Sequence, residues 1–432
     1  MPAAKPRATV RKPYCAIDFG TSNSALALPA PTVEGGFVLA PLEDGQTGMP
    51  TAVFFTADGA DRFFGRAAIA AYVDGLDGRL MRSIKSILGS ELIEGSTEIG
   101  TGLSVRYLDV VVAYIRHLRA IGERQSGAPL SRLIVGRPVF FVDEDPAADA
   151  RAEQTLAEAC RFAGFDDVRF EFEPIAAALE YESRIDRERV VLVVDIGGGT
   201  SDFSIVRASP RAARVLDRRG DILANHGVHV AGTDFDRSVN LAAIMPALGH
   251  GTLDKVGRVV PSSIYYELAT WHLINLAYLP ASLAESHRMG TVYADLTSHR
   301  RLLRVLSHRL GHQLAALAEE AKIEVAGTGQ ARIDLAVVEA ALEVAFDARR
   351  QEQALAANVQ RIVDAAAETV RRAGLAPGDI QALFFTGGST GLSVLTDRIG
   401  ALFPGAERVH GDRFASVASG LGLRARAVFG QT

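Results

Sequence analysis

Two stretches of the chain carry the residue types that phosphate chemistry needs. The first is Asp18-Phe19-Gly20-Thr21-Ser22-Asn23-Ser24, and the second is Asp195-Ile196-Gly197-Gly198-Gly199-Thr200-Ser201-Asp202. A polyphosphate asks for backbone N–H donors at close range, and glycine lets the backbone approach. Thr21, Ser22, Thr200 and Ser201 add hydroxyl donors without bulk. A carboxylate at a strand end suits Mg2+, a hard cation that takes one or two carboxylates and keeps several waters. Asp18 and Asp195 are so placed, and Asp202 is a third carboxylate close by. Neither stretch is a Walker loop or a dinucleotide fingerprint. There is no G-x-x-x-x-G-K-[ST], and neither stretch opens a helix.

The elements around these residues repeat one design. Tyr14–Asp18 is a short apolar run that reads as a strand, and Ser24–Leu28 reads as its return. Val190–Asp195 reads as a buried strand, and Phe203–Arg207 returns. Two copies of one lobe facing each other would enclose a cleft with a phosphate loop on each wall. An ordinary hairpin accounts for one Asp-x-Gly turn. Two matched copies, with Thr386-Gly387-Gly388-Ser389-Thr390 after a further strand at Ala382–Phe385, favour a nucleotide cleft. Periodicity predicts helices over 65–73, 79–88 and 104–124, and a strand at Leu133–Phe141. Asp145 followed by Pro146 opens a helix that Gly164 helps to stop. Further helical stretches are expected over Glu173–Ile185, most of 234–373, and about 413–428.

The 432 residues carry 46 Lys+Arg against 51 Asp+Glu, a formal net charge of -5. That balance argues against a chain that coats nucleic acid or an anionic membrane. No apolar run approaches the roughly 20 residues of a membrane helix. The start lacks the apolar stretch of a secretory signal and reads as a flexible basic tail over 1–13. Cys15 and Cys160 form no C-x-x-C pair, so a zinc site or a disulfide framework is not expected, and a reducing cytoplasm fits. His308 and His312 have i, i+4 spacing but no neighbouring Glu motif. Trp271 with Tyr265, Tyr266 and Tyr278 reads as helix packing, and Arg300, Arg301, Arg304 and Arg309 as a solvated helical face.

The ordered set of motifs resembles the actin, sugar kinase and heat shock protein 70 superfamily, and within it the nucleotide-binding domain of DnaK-type chaperones. After the first phosphate loop come Ser83-Ile-Lys85-Ser-Ile-Leu-Gly89, then Ile134-Val-Gly-Arg-Pro138, then Glu173-Pro174-Ile-Ala-Ala-Ala178. The second loop follows, then Ala231-Gly-Thr-Asp-Phe-Asp236, Glu319-Glu-Ala-Lys322 and Gly387-Gly-Ser-Thr390. The resemblance covers about residues 14–428. It implies an α/β, two-lobed actin-like ATPase fold, with duplicated ribonuclease-H-like lobes around a nucleotide cleft. Lobe I would span 14–188 with 40–103 as a peripheral insert. Lobe II would span 189–407 with 240–345 as its insert, and 408–432 would return a helix to lobe I.

The same resemblance implies ATP or ADP with Mg2+ as ligands and slow ATP hydrolysis coupled to lobe closure. Asp18 and Asp195 would hold the waters of the ion. Gly20, Thr21, Ser22, Asn23, Gly197, Gly198, Gly199 and Thr200 would lie along the phosphates. Lys85, Glu173, Asp195, Thr200 and Asp202 would form the catalytic set. Lys85 would position the attacking water, with Glu173 and Asp202 assisting through water or ion contacts. Gly232, Glu319, Lys322, Gly387, Gly388 and Ser389 would line the ribose and adenine. Read without the resemblance, Lys85 is a helix lysine, Glu173 an N-terminal helix acid, and Asp202 a turn acceptor.

The chain departs from the family pattern at Asn23, Ala231, Ala326, Gly391 and Phe414. These bear on adenine contacts more than on phosphate binding. No leucine-rich linker or β-rich client domain follows the last expected helix, so the resemblance is to the short, YegD-like branch. The implied protein is a cytoplasmic, monomeric, chaperone-like ATPase. Its partners would be client proteins and J-type or nucleotide-exchange proteins. Two rival readings stand beside it. A sugar-type kinase would need a carboxylate general base beside a sugar pocket, and no distinct one is evident. A filament former would need a heterologous, non-closing interface.

Overall fold

The computed structural model describes residues 13–30, 36–100, 102–142, 145–182, 184–210, 212, 215, 217–412 and 415–430. Apart from Pro13, the basic tail expected over 1–13 lies outside them, and so does Phe414. The first half opens with β1 (Tyr14–Phe19), β2 (Asn23–Pro29), β3 (Phe37–Leu39) and β4 (Gly48–Pro50). Next come β5 (Ala52–Thr56), β6 (Arg62–Phe64), α1 (Gly65–Val73) and β7 (Gly78–Arg82). Then follow β8 (Ser96–Gly100), β9 (Leu103–Arg106), α2 (Tyr107–Ser126) and β10 (Arg132–Arg137). The half closes with α3 (Pro146–Phe162), β11 (Asp167–Phe172) and α4 (Glu173–Glu182).

The second half begins with β12 (Arg189–Ile196), β13 (Ser201–Ala208), β14 (Ile222–Val228) and α5 (Gly232–Ala243). Four helices follow: α6 (Ser263–Ala269), α7 (Pro280–Arg288), α8 (Leu296–Ser307) and α9 (Gly311–Thr328). A hairpin of β15 (Gln330–Asp334) and β16 (Glu343–Asp347) leads into α10 (Ala348–Arg372). The chain then forms β17 (Ala382–Thr386), α11 (Ser393–Leu402), β18 (Glu407–His410) and α12 (Ser416–Phe429).

Several boundaries follow from local chemistry. The Asp145 carboxylate accepts the Ala148 N–H at 2.9 Å, and Pro146 occupies the first turn of α3, where its missing N–H is harmless. β10 stops at Arg137, short of the expected Phe141, because Pro138 has no N–H for the ladder. The helix expected over 79–88 does not form. Gly78–Arg82 pairs instead with β5 (Ala52 opposite Arg82), and a short 3-10 turn at Ile84–Ile87 follows. Sheet pairing overrides a helical pattern that is legible only locally. The mostly helical region expected over 234–373 contains the β15–β16 hairpin.

Each half builds a sheet with the same strand order and sense. In the first, β2 and β3 extend antiparallel from β1, while β10 and β11 extend parallel from its other side. In the second, β13 and β14 extend antiparallel from β12, while β17 and β18 extend parallel. The duplication legible in the two hairpins is therefore a duplication of whole five-stranded sheets. β4 adds to the first sheet through β2, although it falls in the stretch expected as peripheral.

The two lobes share one apolar core at their base. Ile175, Ala176 and Ala178 of α4 and Leu421 and Ala425 of α12 pack there with Ala16 and Ile134 of one sheet and Val191 and Val193 of the other. α12 and α4 cross so closely that a Cβ on Gly420 would stand 1.7 Å from the Ala176 carbonyl oxygen. Glycine is required there by backbone approach. A buried pair, Arg218 to Glu182 at 2.6 Å, ties the β13–β14 connection to α4.

Candidate functional site

The turns of the β1–β2 and β12–β13 hairpins face each other across one cleft of about 1920 Å3. They approach so nearly that a Cβ on Gly198 would stand 2.2 Å from the Ser22 hydroxyl. Antiparallel pairing makes both turns tight, and their small residues Gly20, Thr21, Ser22, Gly197, Gly198, Gly199 and Thr200 line the cleft. The first turn is braced by Thr51, whose hydroxyl donates to the Gly20 carbonyl at 2.8 Å and whose N–H donates to the Ser22 carbonyl at 2.8 Å. In the second turn, the Gly197 N–H donates to the Thr200 carbonyl at 3.0 Å.

A cluster of acids lies between the turns. Asp195 stands opposite Asp202 across the β12–β13 ladder. Burial first, and then the charges of Asp202, Glu173 and Asp18, hold the Asp195 carboxyl well above the usual carboxylate range. Burial first, and then Glu173, push Asp18 up to about 7, against the opposing pull of Lys85. Lys85 enters from the 3-10 turn after β7, where Ser83 takes a left-handed conformation with φ 56°. Its ammonium donates to Glu173 Oε1 at 2.5 Å. Burial opposes the lysine charge, but Glu173, Asp18 and Asp202 together outweigh it and hold its pKa above the usual value. Four carboxylates thus act on one buried ammonium.

That imbalance is the chemistry of a cation site, since buried like charges need a counter-ion. Among the described residues, no three His, Cys, Asp or Glu side chains converge closely enough to hold a metal ion directly. The carboxylate set fits Mg2+, a hard cation that takes oxygen donors and keeps several waters.

The far end of the cleft is built on α5, α9 and the turn after β17. The Gly232 N–H donates to the Gly197 carbonyl at 3.1 Å, and the Thr233 N–H to the Gly198 carbonyl at 2.8 Å. The Ser389 hydroxyl donates to the same Gly197 carbonyl at 2.8 Å. The Gly197–Gly198 loop therefore anchors both the start of α5 and the turn after β17. On α9, Lys322 pairs with Asp236 of α5 at 2.5 Å, with Glu319 one turn earlier. Burial first pushes Asp236 up to about 6, although Lys322 pulls it down.

Every site residue expected from sequence lines this cleft, from Asp18 and Asn23 through Lys85, Glu173 and Asp202 to Gly387 and Gly388. Asn23, Ala326 and Gly391, three of the five departures from the family pattern, line it too. Sequence reading missed Asp236, Thr233, Arg82 and Trp271, which also line it. Asp236 was visible as the end of a quoted motif, but its pairing with Lys322 was not. Trp271 was expected to pack within a helix. It sits instead in the turn after α6, with the Arg82 guanidinium 4.7 Å from its ring centre. His308 and His312 do not share a helix, because α8 ends before His308 and His312 belongs to α9. Of the arginine face, Arg301 pairs with Glu339 at 2.7 Å.

Comparison with known proteins bears on the family to which the chain belongs. The family model described as Hsp70 protein matches residues 14–244. The chain is 30% identical over 259 residues to the chaperone protein HscA homolog of Azotobacter vinelandii (strain DJ / ATCC BAA-1303), which is 55% of this chain and 38% of that protein. It is 26% identical over 431 residues to the HscA homolog of Azoarcus sp. (strain BH72), which is 96% of this chain and 58% of that protein. The chain thus spans well under two thirds of either relative's length. Among the described residues, no helix is long and apolar enough to cross a membrane.

Proposed function

The chain belongs to the heat shock protein 70 family, and from that premise we propose that it binds ATP with Mg2+ in the interlobe cleft, hydrolyses it slowly, and uses lobe closure as the output of a chaperone-like ATPase. The observation that carries this reading is the set of four partly buried carboxylates around the buried Lys85, between two glycine-rich turns. A nucleotide with a divalent cation supplies both the anion the turns would hold and the positive charge the acids lack.

Asp18 and Asp195 would hold Mg2+ through its waters, and the bound ion would supply charge to the phosphate oxygens. N–H groups of both turns, with the hydroxyls of Thr21, Ser22 and Thr200, would hold the phosphates. Lys85, fixed by Glu173, would bring positive charge to the γ-phosphoryl and orient the attacking water, and Asp202 would assist through water. The water oxygen forms the new bond to phosphorus while the bond to the β-phosphate oxygen breaks, and ADP and phosphate leave. Such a reaction needs positioning and electrostatics more than covalent chemistry.

The moving units would be 14–188 and 189–407, with 408–432 held on the first. Partners would be client proteins and J-type or exchange proteins, in keeping with the chaperone relatives. Single-turnover hydrolysis with Mg2+ tests the reading, comparing wild type with Lys85→Met while binding is followed in the same samples. Retained binding with lost hydrolysis is expected. Equal hydrolysis by both proteins would remove Lys85 from the mechanism, and absence of ATP binding would remove the nucleotide reading.

A further inference from the structure

A phosphate chain held by the two glycine-rich turns leaves the rest of its molecule to run toward the far end of the cleft. The wall there is made by the last turns of α9 and the turn after β17, with Ile323, Ala326, Gly327, Gly391 and Leu392. The polar side chains of this end already have partners within the protein. The Ser389 hydroxyl donates to the Gly197 carbonyl at 2.8 Å, and the Thr390 hydroxyl to the Gly387 carbonyl at 2.7 Å. Lys322 is paired with Asp236 at 2.5 Å. The Thr390 and Leu392 N–H groups close their own turn on the Gly387 and Ser389 carbonyls.

What the wall offers a ligand is therefore mostly carbon. Ile323 is 61% exposed, although Lys322 and Val325 beside it are buried, so its side chain is open to the face of a flat ring. Ala326 and Gly391 present a methyl group and a hydrogen. A Cβ built on Gly327 would stand in open space, so nothing closes on the ring from that side. The exposed carboxylate of Glu319 lies one turn of α9 before Ile323, at the place the nucleotide reading gives to the ribose.

Discrimination between bases depends on hydrogen-bonding groups aimed at the ring edge. A site that bonds such an edge rejects an analogue lacking it by about 10,000-fold or more, whereas an apolar pocket discriminates by about 200-fold at most. Adenine and guanine share one ring system and differ only in the groups on its edge. Where that edge faces open space, its groups keep their water with either base, and little difference in affinity remains.

We propose that the site holds a purine nucleotide by its phosphates and sugar without telling adenine from guanine, so that GTP is a substrate alongside ATP. The inference rests on the nucleotide reading of the cleft and deepens it. The step is the same with either base: the water oxygen bonds to the γ-phosphorus, the bond to the β-phosphate oxygen breaks, and the nucleoside diphosphate and phosphate leave.

Isothermal titration calorimetry of ADP and of GDP, each with Mg2+, on wild type and Ile323→Ala tests it, together with single-turnover cleavage of ATP and GTP. The two wild-type dissociation constants should agree within about tenfold, and so should the two cleavage rates. Ile323→Ala should weaken ADP and GDP alike, by about fivefold, because the ring loses apolar contact whichever base it carries. A preference for either diphosphate beyond tenfold overturns the inference and leaves the nucleotide reading in place, as does cleavage of ATP alone. A loss confined to one diphosphate in Ile323→Ala overturns it too, and so does no loss with either, which would put the ring elsewhere. If neither diphosphate binds wild type, the nucleotide reading itself falls and this inference with it.

Discussion

Asp195 stands directly opposite Asp202 in the antiparallel ladder of β12 and β13, whereas the matching partner of Asp18 in β1 and β2 is Ala25. The two glycine-containing turns close matching antiparallel hairpins and differ in charge. Like charges opposed across a ladder are destabilising, and burial sharpens the effect. The second hairpin is therefore built around a positive charge it does not itself supply.

Asp202→Asn should raise the unfolding midpoint in the absence of nucleotide and divalent cation, by about one or two degrees, for relief of roughly 0.5–1 kcal/mol. The same substitution should shrink the further rise that Mg2+ and ATP give to wild type. Differential scanning calorimetry with and without Mg2+ checks both. A lower midpoint in cation-free buffer would mean that Asp202 is held by partners that outweigh the repulsion.

Stability of the nucleotide-free protein should fall as pH rises from about 4 to 7. Asp18 is raised from 3.8 to about 7 in the folded state, so between those values the folded state binds the extra proton. A folded state that binds more protons loses stability with rising pH. The contribution is fully present below the unfolded value and is gone above the folded one. Asp236, raised to about 6, acts in the same direction. Urea unfolding at pH 5 and pH 8 should show a difference on the order of a few kcal/mol from these groups. Asp18→Asn should flatten part of that slope, and an unchanged slope would clear Asp18 of the effect.

Lys85→Met should destabilise the nucleotide-free protein by about 3 kcal/mol, because it leaves Glu173 partly buried without its cation. Lys85→Met with Glu173→Gln should recover much of that loss, since removing both partners of a pair is milder than removing one. A double-mutant cycle by denaturant unfolding gives the coupling. Additive losses would mean that the 2.5 Å contact contributes nothing to the fold.

Gly420→Ala should lower stability by about 3 kcal/mol or more, because the added carbon would meet the Ala176 carbonyl at 1.7 Å. Backbone cannot swing away as a side chain can, so α12 must shift from α4. Circular dichroism melts measure the loss. A neutral result would show that the two helices pack less closely than 1.7 Å implies.

Much of the site was legible because hairpins are local. In each Asp-x-Gly stretch the strand, the turn and the returning strand lie within 20 residues, 14–29 and 189–208, so their chemistry reads from neighbouring letters. Asp145-Pro146 was legible for the same reason, since a cap and a first-turn proline are adjacent. The 79–88 segment was misread because its partner β5 lies further back, and no local period encodes that pairing. Phe414 and most of the basic tail lie outside the described residues, so the structure adds nothing to either.

By itself, the sequence determined the two hairpins, their order, and the kind of ligand their glycines, hydroxyls and carboxylates suit. Tertiary structure decided what meets across the cleft. Lys85 finds Glu173 88 residues away, and Lys322 finds Asp236 86 residues away. Tyr72 reaches Asn275 203 residues on. The physical reason is that turns and caps are closed by neighbours within one or two hydrogen bonds. Charge pairs and ring contacts between lobes depend on where two sheets and two crossing helices hold the backbone.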